Sequence, residues 1–358
     1  MESKRKERRK RRKLLFAIIM VLFVGIVLTT STYAWFTANQ TVTVQDINVN
    51  VATSNGIQIS VDGSDWKALI TNADIQSVGG QNNPYPAAVN QLPSSMVPVS
   101  TVGALDSTTA FMKMFKGQIV ADETTGVNEL NSSASVETNG TSGDFVAFDL
   151  FFKVTEALTV YLTDASEVVT SDVTSKGIEN AARIAFINQG TTSASSTVST
   201  IQNLKNTSAT PIIWEPNFDA HTQAGINNAS SVYAYDTAWT VTNGEYSCEA
   251  ATGHQCVLEA SGTRAQVDSY YGVKTTFTGE ALNSHDTNKF GVVTPDLQTA
   301  KVNGIQSNAY LSAFNLAAGI TKVRIYMWIE GQDVDCEDNA SGSNLTFSLQ
   351  FSILDSAS

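Results

Sequence analysis

The most pointed cluster of potential ligands in the 358-residue sequence is Glu330-Gly331-Gln332-Asp333-Val334-Asp335-Cys336-Glu337-Asp338-Asn339. Asp333, Asp335, Glu337 and Asp338 offer hard oxygen ligands within one turn, the chemistry that Ca²⁺ takes. The order is not that of an EF-hand, because no glycine stands sixth from Asp333 and no glutamate stands twelfth. The other reading is an acidic connecting turn whose carboxylates accept hydrogen bonds from backbone N–H groups. No further cofactor is implied.

Catalytic constellations are scarce. His221, His254 and His285 are 33 and 31 residues apart, and no His-Glu-x-x-His occurs to set two imidazoles one helical turn apart on a zinc ion. No Gly-x-Ser-x-Gly elbow is present. Paired carboxylates for glycoside cleavage are assembled only by a fold, and no pair stands out in the sequence. The expectation is therefore a protein that is not an enzyme, with an extracellular hydrolase as the least favoured alternative. Cys248, Cys256 and Cys336 suit a single bridge in an oxidising exterior. Cys248 with Cys256 is the favoured pair, since closing a short local loop costs the least entropy.

The chain opens with nine Lys or Arg between Lys4 and Lys13, followed by an uncharged run from Leu14 through Phe36. This is the order of a secretion signal, with Thr32 and Ala34 placed for a signal peptidase to cut after Ala34. Left uncut, residues 14–36 exceed the roughly 20 residues that a membrane-crossing helix needs, and would anchor the protein. Either way the basic end stays inside and the remainder is exported, to the cell surface or beyond it. Beyond residue 34, 13 Lys plus Arg face 32 Asp plus Glu, a formal charge of −19. Such a surface repels phosphate backbones, so nucleic acid is not an expected partner.

The elements that would position any site are strands. Thr41–Val51 alternates polar and apolar residues, with a slip of phase at Gln45-Asp46 that predicts a bulge. Asn55-Gly56 and Asp62-Gly63 flank Ile57–Val61 as hairpin turns. Phe145–Val154 reads as a central strand covered on both faces, and 181–187, 212–214 and 322–329 as further strands. The sharpest alternation is in the last strand, 344–353, with Leu345, Phe347, Leu349, Phe351 and Ile353 on one face. Residues 79–103, with four prolines, and 131–143 read as loops, and Ala309–Ala317 as a short helix. Residues 217–300 lack long apolar runs and read as an insertion or outer lobe of an ectodomain spanning 35–358.

Residues 14–62, an apolar run ending Thr32-Tyr33-Ala34-Trp35-Phe36 and then polar strands leading to Gly56-Ile57, resemble the export signal and first strands of the camelysin and TasA-like proteins of Gram-positive bacteria. The resemblance implies export with a dedicated signal peptidase and a jelly-roll sandwich. It also implies subunits that polymerise into extracellular matrix fibres by lending an N-terminal strand to a neighbour. The expectation is thus an all-β, jelly-roll-like β-sandwich with long loop insertions behind an N-terminal hydrophobic helix. Its expected role is that of a surface or biofilm-matrix structural protein that associates with itself through residues 35–52. The alternative is a membrane-anchored adhesin that binds glycans or surface proteins through the 217–300 lobe, with exposed aromatic residues stacking on sugar rings.

Overall fold

A computed structural model describes residues 41–52, 57–78, 84–121, 128–218, 220, 222, 239–242, 245–248, 256–258, 265–267, 274–276, 293, 295–301, 303–331, 333, 335–336 and 341–353. The chain divides into two units, Met1–Tyr33 and Ala34–Ser358. The first unit lies outside the described residues, and with it the expected signal or anchor. Among the described residues no helix is long and apolar enough to cross a membrane.

The fold is all-β, and its strands are numbered in chain order. One sheet contains β1 (Val42–Val51), β3 (Leu69–Ile70), β4 (Ser95–Met96), β9 (Leu158–Leu162), β10 (Glu167–Thr170), β19 (Leu311–Leu316) and β21 (Asn344–Ser352). Its main path runs β19-β9-β21-β1-β3, with β10 also on β21 and β4 also on β1. A second sheet runs β18 (Leu297–Thr299), β12 (Ile212–Pro216), β11 (Ala182–Thr192), β20 (Gly319–Ile329), β8 (Val146–Val154) and β2 (Ile57–Ser60). A third is ordered β17 (Lys274–Thr276), β7 (Asn128–Ser135), β6 (Met112–Ala121) and β5 (Ser100–Leu105). Two small hairpin ladders complete the strands, β13 (Trp239–Thr242) on β14 (Glu245–Cys248) and β15 (Cys256–Leu258) on β16 (Ala265–Val267).

The first two sheets face each other across one core. Phe351 of β21 meets Phe152 of β8 and Phe186 of β11 with ring centroids 5.2 and 6.0 Å apart, while Phe314 of β19 lies 5.5 and 5.4 Å from the same two rings. These edge and tilted contacts suit the aromatic quadrupole. The alternation expected for β21 holds, with Leu345, Phe347, Leu349 and Phe351 wholly buried.

β20 is buried along its whole length because its two faces meet different cores. Val323, Ile325, Met327 and Ile329 join the core between the sheets. Tyr326 and Trp328, on the other face, pack with Met112 and Met114 of β6 and with Ala185, Ile187 and Ile213 in a second core. β8 is likewise buried on both faces, as the largely apolar stretch Phe145–Val154, broken only by Asp149 and Lys153, predicts.

β1 pairs in parallel with the last strand, from Thr43 opposite Asn344 to Val51 opposite Phe351, and the register shifts between Val44 and Asp46 where the sequence predicts a bulge. Val42, Ile47 and Val49 enter the core. Its other edge is met by two short ladders, Val42–Thr43 with β4 and Val49–Asn50 with β3. Between them Ile47 N–H donates to Asn72 Oδ1 at 3.1 Å, from a short helix α1 (Asn72–Gln76).

Four expectations are corrected. Ala309–Ala317 is not a helix but contains β19, bulged between Ser312 and Phe314, because Phe314 and Leu316 gain more by filling the gap between the sheets than by local helical propensity. The 131–143 stretch begins in β7, whose Ser and Asn residues pair with β6 through the backbone and need no apolar face to do so. Residues 79–103 contain β4 and the start of β5, on either side of Pro98, with Met96 and Val99 wholly buried. Asn55-Gly56 lies outside the described residues, and the strands on either side of it do not form the expected hairpin, since β2 pairs with β8 in the other sheet. The turn at Asp62-Gly63 does return the chain, with Ile59 and Lys67 exchanging backbone hydrogen bonds of 3.0 and 2.8 Å.

Candidate functional site

The acidic turn leaves β20 at Ile329. Glu330 N–H donates to Ala181 O at 2.7 Å and Gly331 N–H to Val99 O at 2.9 Å, tying the end of the strand to neighbouring chain on both sides. Tight turns follow, Asp333 N–H to Glu330 O and Cys336 N–H to Asp333 O, and Asp335 N–H donates to Asp333 Oδ1 at 3.0 Å. These turns point the side chains of Glu330, Asp333 and Asp335 inward, and all three are buried.

Each carboxylate meets a fixed donor. Glu330 accepts from Ser100 Oγ and, at 3.2 Å, from Trp328 Nε1. Asp333 Oδ2 lies 2.8 Å from Arg183 Nη2, which also reaches Glu215 Oε1 at 2.5 Å. Asp335 accepts from Asn180 Nδ2 at 2.9 Å and from Thr222 N and Oγ1 at 2.8 and 2.6 Å. Burial alone would pull the Arg183 guanidinium below its usual value, but the carboxylates of Glu215, Asp333 and Glu330 outweigh it and hold the group above that value. The turn is therefore a clasp around one buried cation, joining β11, β12 and β20.

Of the expected Ca²⁺ ligands, Asp333 and Asp335 come together here, while Glu337 and Asp338 lie outside the described residues. Among the described residues, no group of three or more His, Cys, Asp or Glu side chains is arranged to hold a metal ion. His221, His254 and His285 fall outside the described residues. So do the side chains of Cys248 and Cys256, which the backbone places at the end of β14 and the start of β15.

A second ionic cluster, not foreseen in the sequence, crosses the outer face of the second sheet. Arg324 on β20 donates through Nη1 to Asp149 Oδ1 of β8 at 2.8 Å and through Nη2 to Val89 O at 2.7 Å, and it also pairs with Glu137. Lys322 Nζ stands 3.1 Å from Asp149 Oδ2 and donates to Tyr85 Oη at 2.8 Å; Tyr85 Oη lies 2.9 Å from Asp149 Oδ2. Tyr326 Oη donates to Glu137 and accepts from Met112 N at 2.8 Å. The guanidinium also stacks 4.3 Å from the centre of the Phe111 ring.

Two cations thus face two carboxylates in a buried setting. Burial pushes the Glu137 carboxyl up despite the neighbouring guanidinium. Burial works on Asp149 in the same sense, yet Lys322 and Arg324 overcome it and hold that carboxyl below its usual value. The Arg324 guanidinium resists its own burial through Glu137 and Asp149 and stays well above its usual value. Sequence carried a signal for this cluster, since Asp149, Lys322 and Arg324 are charged residues inside strands otherwise built for a core. Glu137 had none, because it lies in a polar stretch distant from them.

Comparison with protein-family models, with characterised proteins and with solved structures returned no match.

Proposed function

We propose that this chain is an exported structural protein of the cell surface or extracellular matrix, a jelly-roll-like sandwich whose subunits can polymerise by exchanging their first strand. The observation that carries the proposal is the seating of β1. Among the described residues it is the first strand after the basic and apolar opening, it lies in parallel against the last one, and it supplies Val42, Ile47 and Val49 to the core. Its far edge is met, among the described residues, by the two short ladders to β3 and β4, by the flanking bonds from Val44 N–H to Ser94 O and from Val51 N–H to Ala68 O at 3.1 and 3.0 Å, and by the Asn72 contact. A terminal strand in such a slot makes the same contacts whether its own chain or a neighbour supplies it, so exchange adds subunits without new surface chemistry. A free slot would expose unpaired edge groups of β21, which only another strand satisfies well.

The test is a tether across the β1–β21 ladder. Asn48 and Ser348 are partners in register, and the Asn48→Cys/Ser348→Cys double variant joins the two strands of one chain by a disulfide. Negative-stain microscopy of residues 35–358 should show filaments from the wild type, none from the oxidised variant, and filaments again after reduction. Filaments from the oxidised variant, or monodisperse particles from every sample, reject strand exchange. The second outcome favours the other reading, a membrane-anchored binding module held by residues 14–36.

A further inference from the structure

Glu179 and Asn180 sit in a 3₁₀ turn, Ile178–Ala181, entered through Gly177 at φ 92°, and both are buried. A Cβ at Gly177 would stand 2.4 Å from Thr222 Cγ2 and 3.2 Å from Asp335 Cγ, so glycine lets those two side chains close on the turn. The Asn180 amide is held at both ends. Its Nδ2 donates to Asp335 Oδ2 at 2.9 Å, and its Oδ1 accepts from Lys301 Nζ at 3.0 Å. A carboxylate that only accepts and an ammonium that only donates fix which end of the amide is nitrogen and which is oxygen. The same Nζ donates to Glu179 Oε1 at 2.7 Å, and that oxygen also accepts from Ser175 Oγ at 2.5 Å. Glu179 Oε2 is buried with no hydrogen-bond partner, so a proton taken up there displaces no existing bond.

An amine, a carboxamide and a carboxylate that can carry protons between them are thus in mutual contact. We propose that Lys301 and Asn180 join in an intramolecular isopeptide bond. The Lys301 ammonium gives a proton to Glu179, and the freed amine attacks Asn180 Cγ. The Cγ–Nδ2 bond breaks as Glu179 passes that proton to Nδ2 and collects the next one shed by the attacking nitrogen. The departing ammonia takes this second proton and leaves as ammonium, which returns Glu179 to its ionised form. One C–N bond replaces another, and no oxidant or co-reactant is consumed. Amines and amides meet unproductively in water, but a fixed contact makes the attack unimolecular and a placed carboxylate moves its protons. Burial of Glu179 and Asn180 keeps water from competing, while the Lys301 side chain, 36% exposed, leaves the ammonium a way out.

Lys322 shows why the electrophile matters. Its Nζ stands 3.1 Å from Asp149 Oδ2, but Lys322 and Arg324 hold that carboxyl ionised, and a carboxylate resists attack by an amine. Asn180 carries no such charge. The bond would tie the turn before β11 to the chain just after β18, closing a loop between residues 121 apart that contains the whole 217–300 stretch. Such a staple restricts the unfolded chain as a disulfide does, without depending on redox conditions. This goes beyond the structural role proposed above and stands whether or not subunits polymerise.

The test is mass spectrometry of the full chain, purified in detergent and digested with trypsin. The wild type should yield a branched peptide, 177–183 joined to 290–322, that is about 17 Da lighter than the sum of its two parts and uncut after Lys301. Lys301→Arg keeps the positive charge but cannot form the bond, and should give linear peptides at their sequence masses. Glu179→Gln should reduce the branched peptide at least about tenfold, the lower range of what a placed proton carrier contributes. Linear 177–183 at its sequence mass from the wild type, with cleavage after Lys301, overturns the proposal, whether or not the Glu179 variant folds. A loss of about 17 Da on 177–183 that persists in Lys301→Arg marks succinimide formation at Asn180 and overturns it too. An undiminished branched peptide in Glu179→Gln removes the role assigned to Glu179.

Discussion

Arg183 and Arg324 are each held by two carboxylates in surroundings that exclude water, so the partners depend on them more than surface ion pairs depend on each other. Replacing either by Met strands the carboxylates and is expected to cost about 3–5 kcal/mol in urea denaturation. Arg324→Lys should fall short of the wild type as well, since one ammonium does not reproduce the fork that reaches Asp149, Glu137 and Val89 O together. Loss under about 1 kcal/mol for both Met variants would mean that the clusters relax into water. The acidic turn adds a separate comparison. With Arg183 already serving Asp333, and Asn180 and Thr222 serving Asp335, the wild-type thermal midpoint should be the same in EDTA and in excess Ca²⁺. A marked rise with Ca²⁺ would give Glu337 and Asp338 a ligand role alongside their neighbours. The same residues set an acid limb. Asp149 titrates below its ordinary 3.8 when folded, so its stabilisation is present above that value and is lost as pH falls through the folded pKa. Glu137, raised above 4.5, runs oppositely: its penalty builds as pH rises from 4.5 toward the folded value, and acid relieves it. The net expectation is stability that holds or rises as pH falls toward 4.5, where acid relieves Glu137, and declines once pH falls below about 3.8, with a shallower decline in Asp149→Asn. An unchanged slope in that variant would show that other carboxylates, such as Asp62, dominate the limb.

At the scale of elements, the strands that sequence revealed are those whose pattern reports burial directly. β21 alternates because one face is in the core, β8 and β20 run nearly unbroken because both faces are covered, and the bulge in β1 appears as a slip of phase. β7 and β19 were hidden for opposite reasons. The Ser and Asn of β7 give no apolar signal, and the Ala and Leu of β19 give a helical one that packing overrides. Of the candidate sites, the acidic turn was visible as a local run, whereas the clasp around Arg183 joins Glu215 and Asp333, residues far apart in the chain. Phe351 shows where the element-scale energy lies. Its ring touches Phe152, Phe186 and Phe314 from both sheets, so Phe351→Ala is expected to lose about 3–5 kcal/mol in chemical denaturation. Val173→Ala, at a fully exposed position, should stay within about 0.5 kcal/mol of the wild type. Equal effects from the two would contradict a shared core between the sheets.

On the scale of the whole molecule, the charge of −19 beyond residue 34 bears on how copies meet. Strand exchange brings two acidic bodies together, and their mutual repulsion opposes the first contact while leaving the buried β1 slot unaffected. Raising ionic strength from roughly 0.01 to 0.15 M shortens the screening length from about 30 to about 8 Å and weakens that repulsion. Light scattering of residues 35–358 should therefore show filament growth with a shorter lag at the higher ionic strength. The oxidised Asn48→Cys/Ser348→Cys variant should not scatter at either, because screening does not free a tethered strand. Salt-driven scattering from that variant as well would identify the association as surface contact between intact bodies. A lag indifferent to salt in the wild type, with growth still abolished by the tether, would locate the barrier in release of β1 from its own sheet. The parallel ladder to β21 and the burial of Ile47 and Val49 then set the rate, and Val49→Ala, which loosens that seat, should shorten the lag where salt does not.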